Sequence, residues 1–440
     1  MASQLTFLLI GVSLLFGAGC NLLDQLEAND PDVAATPVAT TPTSEPQPPI
    51  TDAATPTPAA TAVSQRTLVI WLPPEIGGRT QSATTLLAEQ IRVFRTSHPD
   101  LQVIVQQKNV SGPGGMLSYL RTGGGVAPSI LPDLMVLPGD RLLPTYNEEL
   151  IYPLGSTVSS EMLDALYPPA QTVARPQEII LGYPFALTNL PHLAYDTAVI
   201  TGTFPMSITH MLNLPDSSLL FPGSGAEGVM IWLQLYLAYG GELVDENGEP
   251  ALQAEPLRLA LEHLNQARQQ SFITSQSSNV GSLDEAWQVF AGGGATIVQT
   301  NAGLFLREQL WEQNYGAAAN PGLDAPLPPL VNSWVWAVGT NDPVRRALAT
   351  ELIAFLVQPR NLGEWSQAAH ILPARADALA EWDLDGAYLQ FLGQELERAQ
   401  PNPITSNSQL MTAFRDAVFD VTSLAETPRA AAENAAAVFE

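Results

Sequence analysis

Polar and aromatic side chains stand at the ends of two apolar runs that predict β-strands in the N-terminal half of the chain. Asp140 and Arg141 are adjacent after "PDLMVLPG", and Trp71 and Glu75 lie at the end of "TLVIWLPPE". Carboxylate and guanidinium groups form paired, charge-assisted hydrogen bonds, and aromatic faces line many small-molecule sites. These four residues are therefore candidates for binding a small polar solute. The alternatives are a surface ion pair worth under about 1 kcal/mol for Asp140 and Arg141, and core packing for Trp71.

The C-terminal half of the body adds further candidates. Asn301 follows the predicted strand "ATIVQT", where its amide either hydrogen bonds with a ligand or only turns the chain. Trp334 and Trp336 alternate along a predicted strand and so face the same side. Either both pack in the core, or one of them lines a binding site. Trp232 and Tyr236 lie four residues apart on an apolar helix, and this spacing favours core packing.

The order of the predicted elements indicates how some of these side chains meet. A strand at "TLVIWL" is followed by a helix with apolar residues at helical spacing, a strand at "LQVIVQQ", a short helix at "MLSYLR" and a strand at "DLMVL". This alternation predicts an α/β fold with a parallel sheet covered by helices. Ligands of such sheets bind outside the carboxyl ends of the strands, so we expect the candidates after the first and third strands at one edge.

The N-terminal segment contains Cys20, the sole cysteine in 440 residues. The apolar run before it is shorter than the ~20 residues that span a membrane and ends in small residues, so residues 1–19 are predicted to be a cleaved signal peptide. Gly17, Ala18 and Gly19 before Cys20 resemble a bacterial lipobox, which implies a lipid on the sulfur. An ordinary secretory signal with a chance cysteine is the alternative.

Residues 20–65 follow the predicted signal peptide and are mostly Pro, Thr and Ala, with few large apolar side chains. Such a segment buries too little surface to offset its chain entropy. We therefore predict a disordered tether that holds a globular body off a membrane surface. A freely secreted body is compatible with the same composition.

Composition argues against several classes of function. The chain has 18 Lys and Arg against 44 Asp and Glu, a net charge of −26, which repels nucleic acid and anionic lipid. Five scattered histidines lack the spacing of zinc ligands, and "EWDLDG" resembles half of an EF-hand loop but has Leu392 where calcium requires a carboxylate. The sequence contains no nucleophile elbow, metalloprotease or phosphate-binding loop motif. We therefore expect no metal, no cofactor and no catalytic residue.

Longer segments carry a family resemblance over residues 66–440. They are "LVIWLPP", "LPDLMVLPGDR", "GYPFALTNLPHLAYD", "FAGGGATIVQTNAG", the stretch from "NSWVWAVGT" to "HILPAR", and "QLMTAFRDAVFDV". Together they resemble the extracellular solute-binding proteins of ABC importers, in the carbohydrate-binding class that includes maltose-binding protein. The resemblance implies a two-lobed periplasmic-binding-protein type II fold, each lobe a mostly parallel sheet flanked by helices. Lobe one is expected at 66–187 with 332–366, and lobe two at 188–331 with 367–440.

The resemblance also implies further ligand-binding residues. Thr188 stands where the family has a carboxylate in the crossover between lobes, and two of its tryptophans correspond to Leu304 and Arg415. Arg415 is either a surface residue or a cation in the cleft that selects a carboxylate or phosphate. Oligosaccharide, monosaccharide, polyol and sugar phosphate all stay open as ligands. The predicted ligand-binding set is Trp71, Glu75, Asp140, Arg141, Thr188, Asn189, Glu227, Met230, Asn301, Trp334 and Arg415.

The function that follows from these expectations is the capture of a sugar or related solute and its delivery to ABC permease subunits. The protein is expected to be a monomer on the outer face of the cell membrane, anchored by the lipid on Cys20. A sensor or surface lipoprotein without a role in transport has the same sequence features. A carbohydrate-active enzyme is the less favoured alternative, since no matched pair of catalytic carboxylates is evident.

Overall fold

The computed structural model describes residues 66–123, 131–155, 158–308, 314–384, 386–404 and 408–440. All of them fall within one compact unit of the chain. The predicted signal peptide, Cys20 and the tether lie outside the described residues. Within these ranges, eleven strands form a larger, seven-stranded sheet and a smaller, four-stranded sheet. The strands are β1 (Arg66–Leu72), β2 (Leu101–Gln107), β3 (Leu134–Pro138), β4 (Tyr183–Thr188), β5 (Pro191–Asp196), β6 (Leu219–Leu220), β7 (Ile297–Asn301), β8 (Tyr315–Ala318), β9 (Leu330–Val338), β10 (Leu372–Pro373) and β11 (Gln400–Pro401).

Helices alternate with the strands, and side-chain caps fix several of their starts. Thr80 accepts a hydrogen bond from the Ala83 N–H at the start of the helix Gln81–Phe94, and Asp342 accepts from the N–H groups of Val344 and Arg345 at the start of the helix Pro343–Leu356. The helices are α1 (Pro74–Gly77), α2 (Gln81–Phe94), α3 (Met116–Gly123), α4 (Gly139–Asn147), α5 (Ser160–Asp164), α6 (Pro168–Ala174), α7 (Ile208–Met211), α8 (Met230–Ala238), α9 (Ala254–Gln269), α10 (Leu283–Ala291), α11 (Ala302–Arg307), α12 (Pro343–Leu356), α13 (Pro359–Ala369), α14 (Ala376–Leu379), α15 (Gly386–Glu397), α16 (Gln409–Thr422) and α17 (Pro428–Ala436).

Both sheets are mixed, which confirms the α/β class and refines the prediction of mostly parallel sheets. The larger sheet has the order β10-β4-β9-β3-β1-β2, with β11 beside β9. In it β1 pairs in parallel with β2 and β3, as predicted. Strand β9 pairs antiparallel with β3 and β4 and in parallel with β11. The reason is that β4 leads the chain out to the smaller sheet and β9 leads it back. The smaller sheet, with the order β6-β7-β5-β8, has one parallel pair and two antiparallel pairs.

The chain leaves the larger sheet through a short connection. Strand β4 ends at Thr188 and β5 of the smaller sheet begins at Pro191, so that Asn189 and Leu190 alone join the two strands. Strand β10 then returns to pair with β4. This pairing corrects the expected start of lobe two at residue 367, because the segment "HILPAR" still hydrogen bonds with the larger sheet.

Alternate residues of β1 pack in two different cores, one on each face of the larger sheet. Leu68, Ile70 and Leu72 lie in one core, and Val69 and Trp71 lie in the other. This two-sided burial explains why the strand is a continuous apolar run.

A separate core lies beside the smaller sheet and includes residues of α8, α9, α16 and α17. It contains Trp232 and Tyr236, which are 1% and 0% exposed, so the predicted core packing of this pair is confirmed. Among the described residues, no helix combines the length and the apolar character needed to cross a membrane.

Candidate functional site

A cavity of about 640 Å³, the main cavity, opens beyond the carboxyl ends of β1 and β3. Its volume falls in the range of ~300–1,000 Å³ that is usual for small-molecule sites. Asn402 and Ile404 form part of its wall, and Ile404 belongs to the core of the smaller sheet, so both lobes contribute to the cavity. Six residues of the predicted set line it: Glu75, Asp140, Arg141, Thr188, Asn189 and Trp334.

Asp140 and Arg141 lie in the first turn of α4, directly after β3. The Arg141 Nε lies 3.6 Å from the Asp140 Oδ2, and the two side chains are 47% and 41% exposed. An exposed pair contributes under about 1 kcal/mol to stability, so both groups keep their capacity to bind a ligand. The positive end of the helix dipole also favours a carboxylate at this position.

Trp334 supplies an aromatic face to the main cavity. Its strand neighbours are Pro138 of β3 and Ala186 of β4, and this register places the ring beside the start of α4. Trp336 points into the core and stacks on Phe185 with 5.0 Å between the ring centroids. Of the two predicted alternatives, the structure therefore shows one tryptophan at the cavity and the other in the core.

The crossover between the two sheets lines the main cavity and two smaller cavities, which are described below. Thr188 pairs with Asn332 at the ends of β4 and β9. Asn189, which follows, is exposed, has a φ of 58° and lines all three cavities. Asparagine is one of the few residues besides glycine that adopts this left-handed conformation readily, which suits it to so tight a connection.

A smaller side cavity of about 80 Å³ lies on the other side of Asn189 and is lined by Glu227, Met230 and Asn301. The Glu227 Oε2 accepts a hydrogen bond from the Leu283 N–H at 2.9 Å. The Asn301 Oδ1 caps α11 by accepting from the Leu304 N–H, also at 2.9 Å. Asn301 thus turns the chain and lines a cavity at once, and one oxygen of Glu227 is engaged by the protein.

Trp71 does not line any of these cavities. It is 2% exposed, its Nε1 donates to the Gln106 Oε1 at 3.1 Å, and its ring meets that of Tyr119 edge to face. The Lys108 Nζ lies 4.8 Å from the Trp71 ring centroid, a cation-π distance. The prediction of a stacking platform at Trp71 is therefore wrong, because β1 turns this side chain into the core opposite to Leu72.

Arg415 also lies outside the described cavities. Its guanidinium donates to the neighbouring Asp416 Oδ1 at 2.7 and 3.0 Å on the surface of α16. Met411, one turn earlier on the same helix, lines the side cavity instead. Of the two predicted alternatives for Arg415, the structure therefore shows the surface residue and not the cleft cation, because its guanidinium pairs with Asp416 on the exposed part of α16.

A buried histidine lies behind the crossover, on β5. His192 is fully buried, and its Nε2 lies 3.0 Å from the Tyr388 Oη. The rings of Phe305 and Phe391 also surround it. Burial lowers the pKa of His192 to about 3, so the imidazole is neutral in the folded protein at ordinary pH.

Several residues that line the main cavity are not among those that the sequence pattern predicts. Asn332 and Ser333 precede Trp334 on β9, and Asn402 follows β11. Ser333 lies so close to Gly139 that a Cβ at residue 139 would overlap its hydroxyl. The start of β9 carries a usable signal, because Asn332 and Ser333 directly precede Trp334 and so lie at the same end of the strand. Asn402 had none, because β11 has two residues only.

These features define the two-lobed type II fold of the MalE-type periplasmic binding proteins. No known family profile matches the sequence, and no curated protein matches it either. Solved structures share the fold at low identity. The sugar-binding protein MalE from the phytopathogen Xanthomonas citri has a TM-score of 0.68 at 17% identity, with 84% of this chain and 96% of that protein aligned.

Two further solved structures are similar over nearly their whole length. The maltose-binding periplasmic protein MalE from Listeria monocytogenes, solved in complex with maltose, has a TM-score of 0.65 at 16% identity and covers 85% of this chain and 97% of its own. The GacH receptor of Streptomyces glaucescens, solved unliganded and with acarbose, has a TM-score of 0.62 at 15% identity with the same coverage. The likeness establishes the fold.

Proposed function

We propose that the protein is the extracellular substrate-binding lipoprotein of an ABC importer. It binds a carbohydrate or related polar solute between its two lobes and delivers it to a membrane permease. The mature protein is a monomer that begins at a lipid-bearing Cys20 on the outer face of the cell membrane. It performs no covalent chemistry.

The main cavity is the observation that carries this proposal. Asp140 and Arg141 offer acceptor and donor groups for hydroxyls, and Trp334 offers a flat apolar face beside them. Paired polar groups next to one aromatic ring are the combination that a sugar ring requires. The solved structures with the same fold support it, since they include complexes with maltose and acarbose.

A thermal-shift screen of the protein against a carbohydrate library tests the binding function. A ligand of the folded state stabilises it by about 2.7 kcal/mol at a hundredfold excess over its Kd, which raises the melting temperature in a saturable way. We expect at least one saccharide to do so and to be recovered chemically unchanged. If no saccharide in the library raises the melting temperature, the proposal is overturned. Hydrolysis of a bound saccharide would favour an enzyme.

One measurement tests the transport role, and a second tests the lipid anchor. Stimulation of permease ATP hydrolysis by the loaded protein in proteoliposomes supports a transport role, whereas its absence with the genetically linked permease favours a sensor. Mass spectrometry of the mature N-terminus tests the anchor. A diacylglycerol mass on Cys20 is the expected result, and a chain that begins elsewhere contradicts it.

A further inference from the structure

A third cavity of about 140 Å³ lies beside the crossover and receives side chains from both lobes. Thr188 and Asn189 line it as well as the main cavity, so the two cavities are neighbours. Its lining includes three groups that can carry positive charge, Arg79, Arg307 and His370. We call these three residues the cationic pocket.

The members of the cationic pocket are held in place by the fold. The Arg79 Nε donates to the Ala369 carbonyl at 2.7 Å, which fixes the guanidinium beside His370 at the end of α13. Arg307 is the last residue of α11, on the lobe that contains the smaller sheet. The cavity therefore has Arg79 and His370 on one side and Arg307 on the other.

The electrostatics show that these positive groups are close enough to repel one another. Burial and the charge of Arg307 lower the pKa of Arg79. Burial and the charges of Arg79 and Arg307 lower the pKa of His370. The guanidinium groups of Arg79 and Arg307 thus line one cavity of a chain whose net charge is −26.

The carboxylates of the same cavity do not neutralise Arg79. Arg307 is paired with Asp284 and Glu308. The exposed Glu227 uses its Oε2 for the Leu283 N–H. Among the described residues, no carboxylate oxygen lies within 4 Å of Arg79, whose one hydrogen bond goes to a backbone carbonyl.

Space for a ligand atom is kept beside the Arg79 guanidinium. Gly303 faces it, and a Cβ at residue 303 would lie 3.4 Å from both the Arg79 Nη2 and the Asn301 Oδ1. The volume open to a ligand oxygen is the cavity of about 140 Å³ that Gly303 and Arg79 both line. An arginine fork next to an open volume suits the two oxygens of a carboxylate or a phosphate.

We propose that the cationic pocket binds the carboxylate or phosphate of an acidic saccharide whose ring occupies the main cavity. The inference rests on the proposed function and narrows its ligand to a uronate-type or phosphorylated sugar. An anion that contacts Arg79 on one side and Arg307 on the other is attracted to one guanidinium group from each lobe. The acidic group therefore also favours closure of the two lobes.

Calorimetric titration of the full chain with matched sugars tests the assignment. Galacturonate is compared with galactose, glucose 6-phosphate with glucose, and inorganic phosphate is titrated alone. Because hydrogen bonds to charged groups are the stronger kind, we expect one acidic sugar to bind at least about tenfold more tightly than its neutral partner. Added salt should reduce this difference, since it screens the pocket.

Arg79→Gln should remove the preference for the acidic sugar while leaving the affinity for the neutral sugar unchanged. Arg95→Gln is the matched control, because Arg95, like Arg79, donates from its Nε to a backbone carbonyl, that of Leu101, and lies outside the cavities. Arg307→Gln provides the same readout from the opposite lobe if the first variant folds poorly.

Three results would overturn the inference. Equal affinity for acidic and neutral sugars would remove the pocket's role while leaving sugar binding intact. Inorganic phosphate that binds as tightly as the acidic sugar would show a free-anion site in place of a saccharide site. Failure of every saccharide to bind would end this inference together with the proposed function.

Discussion

Asp140 is the single residue whose position says most about the proposed site. It stands at the end of β3, in the first turn of α4, and its pairing with Arg141 is too loose to occupy either group. A carboxylate placed in this way is free to accept hydrogen bonds from sugar hydroxyls.

Asp140→Asn should weaken saccharide binding about tenfold, because a charge-assisted hydrogen bond becomes a neutral one. The free energy of unfolding without ligand should change by less than about 0.5 kcal/mol, as is usual for exposed positions. Titration calorimetry and urea unfolding measure the two quantities. Asp164→Asn, an exposed carboxylate of the same lobe outside the cavities, is the control. Unchanged affinity together with a marked loss of stability would contradict the assignment.

Trp334→Leu should cost about 1 kcal/mol of saccharide affinity, roughly a fivefold rise in Kd, through loss of the stacking face. Trp336→Leu should instead lower the melting temperature, because Trp336 is 3% exposed and a smaller side chain leaves a cavity in the core. Titration and thermal unfolding of both variants distinguish the two roles. The same phenotype for both variants would show that Trp334 has a core role only.

The contrast between Trp71 and Trp334 shows what sequence can predict at the residue scale. Both follow an alternating or continuous apolar pattern, and both were candidates for the site. Only the sheet decides between them, since Trp334 lies at the beginning of β9 between Pro138 and Ala186, whereas Trp71 faces the second core of the larger sheet. The sequence predicts that both tryptophans lie on strands. Whether each side chain points to the cavity or to the core depends on strand partners that are distant in the chain.

At the scale of elements, the strands and helices were largely predictable because their apolar patterns are strong. The alternation of β1, α2, β2, α3 and β3 follows the prediction closely. The two-residue strands β10 and β11 were not predictable, because their pairing depends on β4 and β9 and on no local pattern. For this reason the sequence pattern predicts neither the pairing of residues after 367 with the larger sheet nor the position of Asn402 at the main cavity.

The packing behind the crossover predicts a dependence of stability on pH. Folding lowers the pKa of His192 from 6.5 to about 3, so the unfolded chain binds one more proton between these values. The free energy of unfolding should therefore fall as the pH drops below about 6.5, with a contribution of up to about 1.4 kcal/mol per pH unit from this residue. Stability above pH 6.5 is unaffected by it.

Urea unfolding of the wild type and of His192→Gln at a series of pH values between 7 and 4 measures this contribution. Glutamine keeps a polar group near the Tyr388 Oη and does not titrate. The variant should show the shallower dependence on pH. Equal slopes for the two proteins would show that His192 does not carry the effect.

At the scale of the whole molecule, two sheets joined at Asn189 line shared cavities, and the proposed function requires the two lobes to close on a ligand there. Ligand contacts on both sides of the cavities favour the closed arrangement by the difference in affinity between the two states. The helices α4 and α16 lie on opposite lobes near the cavities, so their separation reports closure.

Ligand binding between the lobes is tested most directly by the distance between two spin labels, one on each lobe. With Cys20 replaced by serine, cysteines at the exposed positions Asn147 and Thr412 accept the labels, and pulsed electron resonance measures their separation with and without a saccharide that raises the melting temperature. We expect the distance distribution to shift to shorter values on saturation, and to shift less with Asp140→Asn at the same saccharide concentration. A distribution unchanged by saturating saccharide would contradict binding between the lobes.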